Sequence, residues 1–359
     1  MPGPVAGTAA RAAATTDVVC LGESMVTFLP SRPGRLADVP RFGRGIGGAE
    51  SNVACALAAA GHRAAWVSRV GTDGFGDHLV EAVAGYGVDT AAVRRDPDRP
   101  TGIYFRTATD RATDVHEVAY YRAGSAASAM SVRNVPYEDV FRGRVLHLSG
   151  ITAALSGDCL ELLHDLTAPR AGRPLISFDV NHRPGLWRGR AGATGPDVLL
   201  VLARRSDLVF VGEDEAEEAW GVRGADAIRQ ALPEPGVVVV KRGADGVTVF
   251  SGPRPGTRSP AAGRAEEVPA LRVDVVAPVG AGDAFAAGFL SATLRGLPVR
   301  ERARHGHLMA AAVLTVPGDL TRPPARARAD RLAALDDDAW GRLRLGPGWT
   351  GDDQEVRTT

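Results

Sequence analysis

The sequence predicts an α/β protein built on a mostly parallel, doubly wound sheet. Apolar β-rich runs recur at 18–21, 65–70, 145–148, 175–180, 208–211, 237–240 and 247–250. Several are continuous rather than alternating, as strands covered on both faces require. Helix-like stretches at 51–60, 76–86, 158–166 and 213–220 lie between many of them, and that alternation specifies parallel neighbours. Two early regions, 25–42 and 101–122, break the pattern with short alternating strands and turn residues.

Composition bounds the rest. A chain of 359 residues suffices for one large α/β domain or two ordinary ones. Its hydrophobic fraction of 45% and charged fraction of 23% are those of a soluble globular protein. A formal net charge of zero gives no electrostatic footprint for nucleic acid or an anionic membrane, so neither is expected as a partner. No uncharged apolar run approaches the ~18 residues of a membrane span. Residues 1–16 are rich in Ala, Gly, Pro and Thr without a signal-peptide core, so they are expected to form a disordered tail on a cytoplasmic protein. The polar stretch 336–359 is expected to fray as a C-terminal tail, leaving 17–335 as the folded domain. Cys20, Cys55 and Cys159 fit neither a disulfide framework nor a zinc site. Lys241 is the one lysine among 42 Lys and Arg, which reads either as chance within a coding bias toward Arg or as a nucleotide-site position where Arg does not serve.

Taken along the chain, the first chemical motif is Gly45-Ile46-Gly47-Gly48-Ala49-Glu50-Ser51-Asn52, a glycine turn opening a small-residue helix. Gly43, Gly45 and Gly48 match G-x-G-x-x-G, but no clear buried strand precedes them. No acidic residue follows at the ribose position, which excludes a dinucleotide site. Next, alternation in Gly102-Ile103-Tyr104-Phe105-Arg106 puts Tyr104 and Arg106 on one face and Ile103 and Phe105 on the other. Tyr120 and Arg122 likewise share a face. Such a sheet can cover a polar ligand or be an ordinary surface hairpin. The run Ser177-Phe178-Asp179-Val180-Asn181-His182-Arg183 ends a strand, and an extended chain would aim Asp179, Asn181 and Arg183 the same way. Gly212-Glu213-Asp214-Glu215 is either an acidic first helical turn or a source of a Mg²⁺ ligand in Glu215. Lys241-Arg242-Gly243-Ala244-Asp245-Gly246 ends another strand in a glycine turn, or in a plain hairpin.

The strongest signal is Ala277-Pro278-Val279-Gly280-Ala281-Gly282-Asp283-Ala284, where a β-like run passes through small residues into an Ala-rich helix. Small residues let a phosphate approach the backbone, and the first N–H groups of the helix face it. Asp283 then either accepts a proton from a substrate hydroxyl or caps the helix. His305 and His307 are two apart on a helix and face different directions, so no metal ligand is assigned to a histidine.

Two of these motifs, Gly47-Gly48-x-x-x-Asn52 followed by Gly61 and Gly71, and Gly280-Ala281-Gly282-Asp283, resemble the signatures of the ribokinase/PfkB family of carbohydrate kinases over about 18–324. The resemblance implies a ribokinase-like three-layer α/β/α sandwich with a small β-sheet lid from segments 25–44 and 100–123. It also implies ATP, Mg²⁺ and a catalytic Asp283 beside the turn of Gly280, Ala281 and Gly282. Tyr120-Tyr121-Arg122-Ala123-Gly124-Ser125, Phe178-Asp179-x-Asn181-x-Arg183-Pro184, Pro278-Val279-Gly280 and Pro317-Gly318-Asp319 are similar to members that phosphorylate 2-dehydro-3-deoxygluconate, a sugar acid. By that similarity Gly47, Gly48, Asn52, Tyr104, Tyr120, Arg122, Asn181, Arg183 and Asp283 contact the sugar. Arg122 and Arg183 grip its carboxylate. Lys241, Gly243, Gly246, Gly280, Gly282 and His307 meet the nucleotide, and Glu215 the metal. The chain departs from the family at Ala277-Pro278, where many members have Asp-Thr, which leaves a K⁺ requirement open. It departs again at Gly212 and His307, where Asn is frequent. An exposed lid edge would allow a homodimer or higher homo-oligomer.

Overall fold

The structure, a computed structural model, describes residues 16–32, 34–107, 117–188, 195–252, 264–351 and 357–358. The apolar runs become one eight-stranded sheet in the order Arg264–Val268, Val247–Ser251, Val237–Lys241, Leu208–Gly212, Leu175–Asp179, Gly143–Ser149, Thr16–Leu21, Ala64–Val67. All neighbours are parallel except the two pairs made by Val247–Ser251. Successive residues of each strand enter opposite cores. Val19, Leu21, Leu146, Phe178, Val209 and Val211 pack with Leu162, Leu199 and Leu202 on one face. Val18, Cys20, Val145, Phe210 and Val239 pack with Val53, Leu57, Phe285 and Phe289 on the other. The chain order reverses at Thr16–Leu21, which lies between Gly143–Ser149 and Ala64–Val67. A switch of this kind opens a crevice beyond the carboxyl ends of the strands.

A second sheet of Phe42–Gly47, Met25–Pro30, Ile103–Arg106 and Val118–Tyr121 stands over those ends. Its two faces differ as the alternation requires. Phe105 stacks on Phe28 with 4.6 Å between centroids, and Phe28 reaches Phe75 of the helix Gly74–Gly85. Tyr104 and Arg106, on the other face, are buried.

Three expectations change, and at Lys241–Gly246 the hairpin alternative is the one observed. The glycines at 43, 45 and 47 belong to a lid strand rather than a turn, and Gly48 alone precedes the helix Ala49–Ala59. Asp179, Asn181 and Arg183 do not lie on an extended chain, because Asn181 adopts a left-handed φ of 41°. Lys241 to Gly246 form a hairpin turn, since Val237–Lys241 and Val247–Ser251 pair antiparallel. The chain does not fray from Asp336. Helix Asp337–Arg342 and strand Leu343–Leu345 bury Trp340, Leu343, Leu345 and Trp349 in a third core against Leu308 and Ala312. Arg304 lies over the Trp340 ring at 4.7 Å and pairs with Asp337 at 2.6 Å, which fixes this segment to the helix Val299–Leu314. Of the expected N-terminal tail, residues 1–15 lie outside the described residues, as do 108–116 of the lid and 352–356 and 359 at the other end. Thr16 already belongs to a strand. Among the described residues no helix is long and apolar enough to cross a membrane.

Candidate active site

The helix Ala281–Leu294 begins at Gly280, whose φ of 79° lies in the left-handed region. A Cβ there would sit 2.5 Å from the Asp319 carbonyl oxygen, so the position admits only glycine. The first-turn N–H groups have no intrahelical acceptor and open toward the crevice. Gly280, not Asp283, holds the cap position, and no side chain caps this helix. Asp283 in the first turn instead accepts a 2.8 Å hydrogen bond from Asn52 Nδ2 on the helix Ala49–Ala59. Burial raises the Asp283 pKa, the Asn52 bond opposes it, and Asp179 raises it further. Arg183 and Lys241 pull it back, and it stands at about 7.

A cavity of about 600 Å³ opens over Asp283, between the lid and the carboxyl ends of the strands. Gly47, Gly48, Asn52, Tyr104, Tyr120, Arg122, Asn181, Arg183 and Asp283, scattered along the sequence, all line it. Two of these need to be glycine for room: a Cβ on Gly47 would strike the Tyr104 hydroxyl at 2.3 Å, and one on Gly48 the Glu23 carbonyl at 2.4 Å.

The charges in this cavity come with partners that the sequence did not advertise. Arg122 donates to Glu23, which is buried just beyond the strand Thr16–Leu21 and also accepts from Ser125 at 2.5 Å. Of the two arginines expected to grip a carboxylate, Arg122 already has a buried counter-charge. Arg183 is the looser one, 56% exposed with Glu215 at 3.7 Å. Arg106 donates to Asp319 at 2.6 Å, and the Tyr104 hydroxyl donates to the same carboxylate at 3.1 Å. Burial raises the Asp319 pKa, while Arg106 and Tyr104 hold it down. Asp319, of the Pro317-Gly318-Asp319 stretch, lines the cavity, whereas Glu23, which stands behind the wall, is a residue that motif reasoning passed over. The available signal was position, since Glu23 follows a buried strand where α/β ligands bind.

On the other side of the same helix start lies a cavity of about 750 Å³. Lys241, Gly243, Gly246, Ala281, Gly282 and His307 line it, while Gly280 lines neither cavity. Its remaining wall is largely apolar, with Val247, Leu271 and Phe285, and carries one further cation, Arg272. Burial lowers the His307 pKa to about 4 despite the Val268 carbonyl at 3.3 Å, so the ring is neutral at pH 7. Lys241 Nζ donates to both oxygens of Asp179, at 3.0 and 3.2 Å, and stands 4.0 Å from Glu215. Burial alone would lower its pKa, but Asp179 and Glu215 outweigh that and raise it. Glu215 also accepts from the Gly212 N–H at 2.7 Å, so it closes the first helical turn, and it lines neither cavity. Asp179 and Arg183 do not aim together but diverge at Asn181. Asp179 holds Lys241 on the larger cavity, and Arg183 lines the smaller one.

Two concave sites therefore meet at one helix N-terminus, with a carboxylate of raised pKa on one side and bare backbone N–H groups on the other. The family model for pfkB family carbohydrate kinases matches residues 15–326. A protein of Bacillus subtilis (strain 168) named 2-dehydro-3-deoxygluconokinase is 34% identical over 317 residues, 87% of this chain and 94% of that protein. One of the same name from Thermoproteus tenax is 33% identical over 323 residues, 89% and 95% of the two chains. The crystal structure of 2-dehydro-3-deoxygluconokinase from Thermotoga maritima superposes with a TM-score of 0.75, covering 89% of this chain and 100% of that one at 23% identity, a likeness of fold. With a match spanning the sheet, the lid and both cavities, the chain belongs to the pfkB family of carbohydrate kinases.

Proposed function

We propose that this kinase transfers the γ-phosphoryl group of ATP to the terminal hydroxyl of 2-dehydro-3-deoxy-D-gluconate, giving 2-dehydro-3-deoxy-6-phosphogluconate and ADP. The observation that carries the assignment of the two sides is the meeting of both cavities at the Gly280-Ala281-Gly282-Asp283 turn. The sugar acid takes the cavity over Asp283, and ATP takes the one lined by Ala281 and Gly282. Relatives of the same name at 33–34% identity over most of the chain support the substrate.

In this reading Asp283 accepts the hydroxyl proton as the oxygen attacks the γ-phosphorus and the bond to the β–γ bridging oxygen breaks, ADP leaving with that oxygen. A pKa of about 7 places Asp283 where a general base works best near neutrality. The N–H groups of the first helical turn meet the charge that develops on the transferring phosphoryl oxygens, and they need no reorganisation to do so. Asn52 orients the Asp283 carboxylate, and the lid face of Tyr104 and Tyr120 excludes water from above. Asp179 and Glu215 are hard oxygen donors, already arranged around the Lys241 ammonium, and they suit Mg²⁺ held through its waters. That ion would neutralise phosphate charge.

One observation favours a second reading, a kinase for a neutral sugar such as fructose: Glu23 already neutralises the Arg122 charge, which leaves Arg183 as the freer cation for a carboxylate. A coupled ADP-release assay across 2-dehydro-3-deoxygluconate, gluconate, fructose, ribose and adenosine decides. Turnover with the keto-deoxy acid at the highest kcat/KM is expected. Turnover with fructose and none with the acid overturns the assignment.

A further inference from the structure

Lys241 ends the strand Val237–Lys241 at the point where the nucleotide cavity meets the first helical turn. Its side chain is 19% exposed, and its ammonium is shared between Asp179, in contact, and Glu215, at 4.0 Å. On its other side the phosphate turn is just as near: a Cβ built on Gly282 would lie 3.8 Å from Nζ. The ammonium therefore stands between two carboxylates and the place where phosphate oxygens would arrive. Asp179 is almost wholly buried, and stranding it without a counter-charge would cost several kcal/mol. Lys241 supplies that charge in a form that can leave. An unbranched ammonium pivots on four methylenes, whereas a guanidinium would clamp the carboxylate with a rigid fork. In a chain that uses Arg for every other basic residue, this is the one position with Lys.

We propose that Lys241 is an exchangeable counter-ion that makes metal loading conditional on nucleotide. In the nucleotide-free protein it occupies Asp179 and Glu215 and keeps a divalent cation away from them. When nucleotide phosphates reach the Gly280-Ala281-Gly282 turn, Nζ moves onto them and releases both carboxylates to the water shell of the accompanying metal. The proposal rests on the assignment of the larger cavity to ATP, and its test separates the two.

The test is titration of Mn²⁺ into the full chain without nucleotide, with free Mn²⁺ read by electron paramagnetic resonance. Wild type is expected to bind Mn²⁺ weakly, Lys241→Met roughly tenfold or more tightly, and the Lys241→Met/Asp179→Asn double variant weakly again. Equal Mn²⁺ affinity in wild type and Lys241→Met overturns the exchange, as does tight Mn²⁺ binding by nucleotide-free wild type. Should Lys241→Met be unfolded in metal-free buffer, thermal melts with Mn²⁺ read the same property. Recovery of a cooperative transition in the single but not the double variant supports the exchange, and no recovery overturns it. ATP binding to wild type is measured alongside. If ATP binds and Lys241→Met gains no Mn²⁺ affinity, only the exchange fails; if ATP does not bind, the nucleotide assignment fails and the exchange with it.

Discussion

The two cavities that flank the first turn of the Ala281–Leu294 helix are built of different materials. The one over Asp283 mixes apolar side chains with four charged ones, of which Arg122 and Asp319 are held by partners behind the wall, Glu23 and Arg106. Its neighbour is walled by glycine, apolar side chains and a neutral His307, with the cations Lys241 and Arg272 and no carboxylate in its lining. The first is preorganised by ion pairs between distant parts of the chain, and such a wall can discriminate hydroxyl and carboxylate patterns. The second is shaped by local turns and backbone N–H groups, and such a wall accepts phosphates whatever they are attached to.

The contrast breaks first at Asp283. Asp283→Asn is expected to lower kcat by at least ~10²-fold while ATP affinity stays unchanged, because the lost proton acceptor faces only the sugar cavity. An equal loss of ATP binding would show that the two sides are not separable. The same group sets a pH signature. With burial first and Asp179 next raising its pKa to about 7, kcat/KM should fall about tenfold per pH unit below neutrality. The stability sign is opposite. A carboxyl with a raised folded pKa favours the folded state below the ordinary carboxylate range and loses that contribution as pH rises to about 7. Asp283→Asn should therefore be more stable than wild type at pH 8 and not at pH 4, as read by urea midpoints.

A smaller effect separates the two arginines of the sugar wall. Arg122→Ala leaves Glu23, 1% exposed, with Ser125 alone, so a stability loss of ~3–5 kcal/mol is expected in urea melts. Arg183→Ala removes a half-exposed cation. It should leave stability within ~0.5 kcal/mol while raising KM for the sugar acid ~10–100-fold. If Arg122→Ala is stable and the KM loss falls on it instead, the pairing with Glu23 is not what holds that wall.

These same residues mark where the sequence was legible. Continuous apolar runs specified the parallel sheet, and period-two alternation at Tyr104 and Arg106 specified the two faces of the lid, because both are local properties of a strand. The glycine turn at 280–282 was legible for the same reason. The counter-charges were not: Glu23 meets Arg122 from 99 residues away and Asp319 meets Arg106 from 213. Asn181 misled the extended reading of 179–183 because a single left-handed residue, which Asn tolerates, redirects everything after it. The segment after Asp336 looked like a tail because charged residues outnumber apolar ones, yet Trp340, Leu343, Leu345 and Trp349 carry enough apolar surface to hold it down.

That last segment has a bearing on how the gene tolerates damage. The strand Leu343–Leu345 pairs with Arg272–Val273, and the core it completes contains Leu271, Val273 and Ala311, which are also wall residues of the larger cavity. A premature stop codon after position 335 would leave every motif residue of both sites translated, from Gly47 to Asp319, and still remove the outer support of the larger cavity's wall. Such an allele would read as intact by its signatures and be defective in its product.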